Sequence, residues 1–455
     1  MELKNLNDGQ LVKYIEYCMA NYSLCHEEMK TGREYYESNQ DIDNKKRLAI
    51  GKGGRLQSVH NLPNWKIKDN QYARAVDQKV NYLFSEKPNL DCDNEQTLDY
   101  VNSLFDKTFM RTLNKIAVDA HNYGIAWMYL YTDGESVKFK QIDPLRVIPI
   151  WKDDNHDSLE AVILRVRKEE FEHLQIKIKE FVHLYTSSGV KIYEYENGRL
   201  EYVKDEAYLK KSGKSYGYQS VPFVYFRLPS ELALIQRVKC LQDALNVLLS
   251  NYTDGMLENP GNTIMVIKNY DGEELGEFRR NLATYGAVKV KTADGMQGGV
   301  ETLEIKVNAE NYKVIIEVLK KAIAQNARAL YLDNDRTTQA PNSLNIKAMY
   351  SDMELDANAL ELEFSASFEY LFRFASVVTG LNFDGCEVSF KRNIMVNDES
   401  TVDIIKNSIG IVSEETLRAN HPFVTDPALE EDRIRKQEEE KMKLFDDYQG
   451  LQGDA

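Results

Sequence analysis

The chain has 455 residues, 43% hydrophobic and 28% charged, a composition typical of a folded globular protein large enough for more than one hydrophobic core. Its formal net charge of −15 disfavours a tight nucleic-acid binder, because an acidic surface repels phosphate on average. The uncharged stretches 121–132 and 244–253 are too short for a membrane-spanning helix, which needs about 20 apolar residues.

The N-terminus and the cysteines carry no targeting or metal-binding pattern. No basic region followed by an apolar core opens the sequence, so we expect no secretory signal and a protein that stays in the cytoplasm where it is made. The five cysteines contain no Cys-x-x-Cys pair, and this predicts reduced thiols and no zinc site. They are Cys18, Cys25, Cys92, Cys240 and Cys386.

The first 84 residues predict two helices separated by a loop. Apolar residues at helical spacing indicate one helix over 9–38 and another over 68–84. The polar stretch 39–64 contains Gly51-Lys52-Gly53-Gly54 and indicates a loop. This string lacks the Lys-Ser/Thr pair of a phosphate-binding loop, and no apolar strand precedes it, so we do not assign nucleotide binding.

The next part of the chain predicts an α+β domain with antiparallel sheet up to about residue 230. A helix over 95–124 leads into alternating runs at 126–131 and 137–142, which indicate a hairpin. Asp143-Pro144 and Ile148-Pro149-Ile150 are expected to end it. Further strands are predicted over 161–167, 181–186 and 190–196, with Asn197-Gly198 indicating another hairpin turn.

The second half predicts two long helices around a small insert. Leucines and other apolar residues at steps of three and four indicate helices over 231–257 and 309–331. Between them, alternating and helical patterns predict a β-α-β-β unit. Its elements are a strand at 263–267, a helix at 273–285 and strands at 287–291 and 300–306.

The polar run 333–343 is predicted to be an exposed loop. It is not a calcium loop, because Thr338 and Leu344 stand where glycine and glutamate are required. A helix capped by Ser343 is predicted to continue to Thr379, where Gly380 ends it. A strand at 387–393 and helices at 399–409, 413–420 and 426–448 complete the chain.

A search for catalytic motifs finds none. The seven histidines occur in no His-x-x-x-His context, and no Gly-x-Ser-x-Gly or Gly-x-Gly-x-x-Gly string is present. The acidic pairs Asp153-Asp154 and Asp446-Asp447 lie in polar segments typical of solvated surface. The sequence therefore predicts a protein that is not an enzyme and has no cofactor or metal.

Four parts of the sequence carry a family resemblance: Glu34-Tyr35-Tyr36-Glu37 with Asp41-Ile42, residues 70–88, residues 123–127 and residues 143–149. Taken in order, they resemble the portal proteins of tailed bacteriophages, in the branch typical of long-tailed phages of Gram-positive hosts. The similarity covers most of the chain.

The resemblance implies an α+β portal fold and a ring of about twelve subunits. Its parts, in chain order, are the wing (1–230), the first stem helix (231–257), the clip (258–308), the second stem helix (309–332), the tunnel loop (333–343), the long helix that crosses the wing (344–379), the C-terminal strand part of the wing (380–398), and the crown with the C-terminal tail (399–455).

The resemblance also implies a position in the virion, at the portal vertex of the capsid, after assembly in the bacterial host cytoplasm. Double-stranded DNA would pass through the ring during packaging and ejection. The implied protein partners are the terminase large subunit, a head-completion or adaptor protein, and the major capsid and scaffolding proteins, with no membrane.

The DNA contacts are expected to be few, because the acidic charge weakens phosphate binding and lets DNA slide. Two alternatives remain open at this point: another structural protein of a virion, and a metal-dependent DNA-processing enzyme of a mobile element. The expected DNA-facing residues are Asn334, Arg336, Thr337, Thr338 and Gln339 of the tunnel loop, together with Lys313, Lys320 and Lys321 as candidates for the channel lining.

Overall fold

The computed structural model describes residues 3–50, 55–58, 62–133, 136–172, 175–211, 214–258, 264–268, 299–303, 309–331, 343–392, 398–424, 429–439 and 441. Its helices are α1 (Asp8–Tyr36), α2 (Gln71–Phe84), α3 (Glu95–Leu104), α4 (Lys107–Tyr123), α5 (Ile235–Glu258), α6 (Ala309–Asn326), α7 (Ser343–Thr379), α8 (Asp398–Asn407) and α9 (Glu414–Ala419). Residues 429–439 are also helical.

The strands form antiparallel sheets, as predicted, so the fold is α+β. They are β1 (Leu48–Ile50), β2 (Leu56–Ser58), β3 (Asn89–Asp91), β4 (Ile125–Thr132), β5 (Val137–Ile142), β6 (Val147–Trp151), β7 (Leu159–Glu172), β8 (Gln175–Tyr185), β9 (Val190–Glu196), β10 (Arg199–Glu206), β11 (Leu209–Lys211), β12 (Lys214–Tyr216), β13 (Phe223–Arg227), β14 (Ile264–Lys268), β15 (Gly299–Leu303) and β16 (Glu387–Ser389).

The largest sheet has five strands in the order β10-β9-β8-β7-β6. The predicted turn at Asn197-Gly198 is confirmed, with both residues at positive φ, as a tight two-residue hairpin requires. Ile148-Pro149-Ile150 does not end the preceding hairpin but forms part of β6. Proline is tolerated there because β6 is an edge strand, whose outer side needs no backbone donor.

A three-stranded sheet, β13-β4-β5, forms the floor of the main hydrophobic core. Helix α7 packs over it through Phe364 and Phe368, both fully buried, whose rings lie 5.0 and 5.7 Å from that of Phe226 on β13. Burying aromatic side chains of this size contributes roughly 2 to 3 kcal/mol each. This packing fixes the position of α7 along its middle.

Helix α7 has the bounds that its periodicity predicts and runs for about 56 Å at 1.5 Å per residue. Gly380, with a φ of 76°, ends it. The prediction of a single helix over 95–124 is wrong, because the structure has two helices, α3 and α4. Asp106 is the N-cap of α4 and accepts a hydrogen bond from Phe109 N at 2.7 Å. The apolar residues keep their helical spacing across this position, so the sequence pattern did not indicate an N-cap.

The prediction of a loop over 39–64 is wrong in part, and the prediction of reduced thiols is confirmed for Cys18, Cys25 and Cys240 but wrong for Cys92 and Cys386. The stretch 39–64 contains a short helical turn at Asp41–Asn44 and the hairpin β1-β2. Cys92 and Cys386 form a disulfide, because they follow and precede β3 and β16 directly opposite each other, with Cα atoms 4.1 Å apart. A separation of 294 residues conceals this pairing in the sequence.

The predicted insert between the long helices is confirmed only at its ends, where β14 and β15 pair antiparallel from Ile264↔Leu303 to Lys268↔Gly299. The predicted helix at 273–285 and strand at 287–291 lie outside the described residues, as do the glycines of 51–54. Among the described residues, no helix is long and apolar enough to cross a membrane.

Candidate functional site: the paired helices α5 and α6

Helices α5 and α6 pack against each other. In the sequence, the strands β14 and β15 lie between them. Tyr252 and Tyr312 pack with ring centroids 5.0 Å apart, and Leu245 and Ile323 are fully buried. At 1.5 Å per residue, α5 is about 36 Å long and α6 about 27 Å. Two extended antiparallel helices thus lead from the main core towards the small strand pair.

One face of α5 is polar and completely buried. Every fourth residue belongs to it, so that the four side chains lie one above another along the helix. All four have zero exposure. This set, called the polar ladder below, consists of Gln242, Asn246, Ser250 and Asp254.

The polar ladder binds the backbone of the extended segment that precedes α2. Asp254 Oδ1 accepts from Trp65 N at 2.8 Å, Ser250 Oγ from Ile67 N at 2.9 Å, and Asn246 Oδ1 from Asp69 N at 3.1 Å. Two residues of extended chain advance about 6.6 Å and four helical residues about 6 Å, so the two spacings match. The segment is therefore held as a strand would be, but by side chains.

Further contacts complete the polar ladder and satisfy its buried groups. Gln242 Nε2 donates to Asp69 O at 2.8 Å and Asn246 Nδ2 donates to Gln40 Oε1. Lys45 Nζ forms an ion pair with Asp254 Oδ2 at 2.8 Å. Since a buried polar group without a partner costs about 1 to 3 kcal/mol, this network locks α5 in one orientation.

The outer face of α6 has the opposite character. Val314, Ile315 and Val318 are 54%, 46% and 59% exposed, although all three are large and apolar. A second exposed apolar stripe lies along α7. Its residues Leu355 and Leu362 are seven positions apart, and 61% and 75% exposed. Clustered exposed apolar residues of this kind mark surfaces that contact another protein.

The three candidate lysines of α6 differ in their surroundings. Lys320 forms an ion pair with Asp69 Oδ2 at 2.7 Å, which ties α6 to the start of α2. Lys313 is largely exposed and lies 4.0 Å from Glu317 Oε1, and Lys321 is exposed. Lys313 and Lys321 are thus accessible to a ligand, whereas Lys320 must first leave Asp69.

The predicted tunnel loop falls outside the described residues, which resume at Ser343. Its five expected DNA-facing residues therefore have no described position. They are Asn334, Arg336, Thr337, Thr338 and Gln339. What the structure does give is the two elements that this segment joins, the end of α6 and the start of α7.

The described residues contain no group of three or more His, Cys, Asp or Glu side chains that could hold a metal ion. The buried histidine His121 is structural: its Nδ1 donates to Ala117 O at 2.8 Å, and complete burial lowers its pKa to about 4. Burial likewise lowers the pKa of His183 to about 4. Both rings are therefore neutral near pH 7.

Residues 15–444 match the family model described as phage portal protein, SPP1 Gp6-like. The chain belongs to this portal protein family. It is 27% identical over 451 residues to the portal protein of Clostridium phage phiCD119, covering 93% of this chain and 95% of that protein. It is 26% identical over 443 residues to the portal protein of Bacillus phage SPP1, covering 93% and 85% of the two chains.

The family assignment confirms the resemblance read from the sequence, including its branch among phages of Gram-positive hosts. As a portal protein the chain is a structural protein and not an enzyme, which removes the DNA-processing enzyme as an alternative. The family assignment gives the chain the role of a phage head-to-tail connector. It thereby replaces the second alternative, which was another structural protein of a virion.

Sequence reasoning missed the polar ladder of this portal protein. The residues Gln242, Asn246, Ser250 and Asp254 are spaced by four, and this regularity was visible in the sequence. The prediction for this helix considered only its apolar positions and made no statement about these polar residues. A run of polar residues at constant helical spacing beside a strongly apolar stripe is the signal that could have found it.

Proposed function

We propose that this portal protein forms a closed ring of about twelve copies at one capsid vertex, with a central passage for double-stranded DNA. The observation that carries this proposal is the pair of exposed apolar faces, Val314 with Ile315 and Val318 on α6, and Leu355 with Leu362 on α7. A ring needs two different, complementary surfaces on each subunit, so that each copy offers one to each neighbour.

The regions of the chain take the roles that their order in the family suggests. Residues 1–230 and 380–398 form the wing, 231–257 and 309–332 the stem, and 258–308 the clip. The long helix over 344–379 crosses the wing, and 399–455 form the crown and tail. The α5-α6 pair with β14-β15 between them supports the stem and clip assignments.

The DNA passage is lined locally by the tunnel loop 333–343 and by the stem. Arg336 with Asn334, Thr337, Thr338 and Gln339 contacts the DNA backbone, and the accessible Lys313 and Lys321 add positive charge on the stem. Lys320 contributes only when it is released from Asp69. The net charge of −15 per subunit keeps the remaining surface from holding phosphate tightly, so DNA can slide.

The partners follow from the position in the particle. The clip receives the terminase large subunit while the head fills, and afterwards a head-completion or adaptor protein. The wing contacts the major capsid protein and, during assembly in the host cytoplasm, the scaffolding protein. The motor supplies ATP hydrolysis, since this chain contains no phosphate-binding loop motif.

The proposal is tested with the purified full-length protein by size-exclusion chromatography with light scattering, followed by negative-stain microscopy. We expect a particle of ten or more subunits of 52.5 kDa with a central hole wide enough for a duplex, roughly 20 Å or more. A monomer or dimer at micromolar concentration, with no ring in the images, would contradict it.

A further inference from the structure

Four charged side chains from four different elements meet beside the main core. Asp356 of α7 lies at the centre. Its Oδ2 accepts from Lys79 Nζ of α2 at 2.8 Å and from Arg237 Nη1 of α5 at 3.4 Å, and its Oδ1 accepts from Arg328 Nη1 at 2.5 Å. Arg328 is the second residue after the end of α6. Three cations thus share one carboxylate.

One of the three cations, Lys79, is shielded from solvent. The Lys79 side chain is 5% exposed and Asp356 is 22% exposed, while the two arginines are about half exposed. Burial lowers the pKa of Lys79, and the charges of Arg237 and Arg328 lower it further, against the attraction of Asp356. Partly buried cations without matching anions are costly, so the cluster favours the arrival of another negative group.

A cavity of about 170 Å³ opens beside this cluster. Its charged and polar lining includes Lys79, Arg237, Arg328, Asp356 and His121, and most of the remaining lining is apolar, with residues such as Leu83, Leu234 and Leu360. Asp356 is the one acidic residue in the lining, as far as the described chain extends. Because a carbonyl oxygen only accepts, the contact with Ala117 O places the His121 hydrogen on Nδ1, and the ring adds no positive charge.

We propose that this cavity binds a phosphate-type oxyanion. A guanidinium group has five N–H donors, so Arg237 and Arg328 each keep donors beyond the one given to Asp356. Their planar forks match the oxygens of phosphate, and Lys79 adds a point charge at the inner end. The volume is several times the ~30 Å³ that one water occupies, which leaves room for a tetrahedral anion.

A bound oxyanion would connect α2, α5, α7 and the end of α6. Arg328 and Asp356 also lie on the two sides of residues 332–342, so the ligand would join the elements that this segment links. Occupancy of the cavity would therefore stiffen the junction between the two helices α6 and α7. This site does not depend on the ring proposed above.

The test is titration of the full-length protein with inorganic phosphate at constant ionic strength, followed by calorimetry, with chloride as the reference anion. We expect saturable binding of about one phosphate per subunit. Arg237→Gln and Arg328→Gln should each weaken it roughly tenfold, since each removes a hydrogen bond to a charged group. Asp356→Asn should strengthen binding, because it removes the internal anion that competes for the same cations.

The matched control is Arg373→Gln, which changes an exposed arginine of α7 whose partner is Glu369 at 3.4 Å. It should leave phosphate affinity unchanged. A second titration series adds a short DNA duplex to find which source of phosphate the cavity binds. If the duplex competes with inorganic phosphate, the site binds the DNA backbone. If it does not compete, the site binds a free anion.

Two outcomes would overturn the proposal. One is a linear, unsaturable response to phosphate that Arg237→Gln, Arg328→Gln and Arg373→Gln share, which is a general ionic effect. The other is phosphate binding to dissociated subunits that is lost on assembly, which would assign the site to a carboxylate of a neighbouring protein. Circular dichroism of each variant confirms that it is folded before the titrations are compared.

Discussion

The two neighbouring helices α5 and α6 use their polar and apolar residues in opposite ways. Helix α5 buries Gln242, Asn246, Ser250 and Asp254 completely, whereas α6 leaves Val314 and Val318 more than half exposed. On α5 the polar groups accept hydrogen bonds from the backbone of residues 65–69 of the same chain. On α6 the apolar groups have no such cover among the described residues, which is the property of a surface that contacts another protein.

In this protein the polarity of a side chain does not predict whether it is buried, because α5 buries polar residues and α6 exposes apolar ones. The polar ladder fixes how one helix sits against its own subunit, because each hydrogen bond has a required direction. The apolar face of α6 can serve association between subunits, because hydrophobic contact is strong and makes few demands on direction. Each of the following experiments changes one side of this comparison.

The largest effect is expected from Asp254→Ala on α5. The change leaves the Lys45 ammonium and the Trp65 N–H without the acceptors that they have at 2.8 Å in the native protein. Because removing one partner of a buried pair leaves an uncompensated charge, the free energy of unfolding should fall by about 3 to 5 kcal/mol. Urea denaturation followed by circular dichroism measures it.

The control for this variant is Glu317→Ala on α6, which breaks the exposed contact with Lys313 at 4.0 Å. Exposed pairs contribute little, so its loss should stay below about 0.5 kcal/mol. Equal losses for Asp254→Ala and Glu317→Ala would show that the polar ladder is no more stabilising than a surface ion pair.

A smaller loss is expected from Asn246→Ala. It deprives Asp69 N and Gln242 Nε2 of the oxygen that they reach at 3.1 and 3.0 Å. Leaving buried donors unsatisfied should cost about 2 kcal/mol, measured in the same urea titration. Asn251→Ala, an exposed asparagine of the same helix, is the matched control and should change the free energy of unfolding by less than about 0.5 kcal/mol.

Sequence patterns predicted the elements of this fold well where one periodicity dominates. The bounds of α7, the hairpin β4-β5 and the turn at Asn197-Gly198 agree with the structure, because a long apolar stripe, strict alternation and a turn dipeptide each specify one local conformation. The division between α3 and α4 was missed, since the N-cap of Asp106 interrupts no apolar period.

The candidate site could be predicted only in outline. The two long helices and the strands between them followed from spacing, but their contacts with residues 40–72 join positions about 200 residues apart, which no local pattern encodes. The same holds for the cation cluster around Asp356, whose members lie on four separate elements. Long-range partners require the folded chain.

The exposed side of the comparison is tested by the double variant Val314→Asp with Val318→Asp. A charge placed in an apolar subunit interface should prevent ring formation, because its desolvation outweighs the contacts that remain. Stability of the isolated subunit should change by less than about 0.5 kcal/mol, since both side chains are already exposed. Light scattering measures assembly, and urea denaturation measures stability.

The control is Val203→Asp, which changes a 44% exposed valine of β10, away from both helices. It should leave the ring intact. A ring that persists in the α6 double variant would move the subunit interface away from this face and would break the contrast between the two helices.

The smallest effect is expected from Arg336→Ala in the proposed tunnel loop. Because we propose that Arg336 contacts a DNA phosphate in every subunit, its removal should lower the packaged DNA about two- to fivefold. A packaging reaction with purified heads and motor measures the protected DNA, with Lys313→Ala on α6 as a parallel variant. An unchanged yield for Arg336→Ala would remove this residue from the DNA contacts.

The central claim is that the exposed apolar faces of α6 and α7 join subunits into a closed ring. Light scattering of the wild-type protein beside the Val314→Asp, Val318→Asp variant tests it most directly. We predict a ring of ten or more subunits for the wild type and a folded subunit of 52.5 kDa for the variant. Wild-type protein that elutes as a folded monomer at every concentration would contradict it.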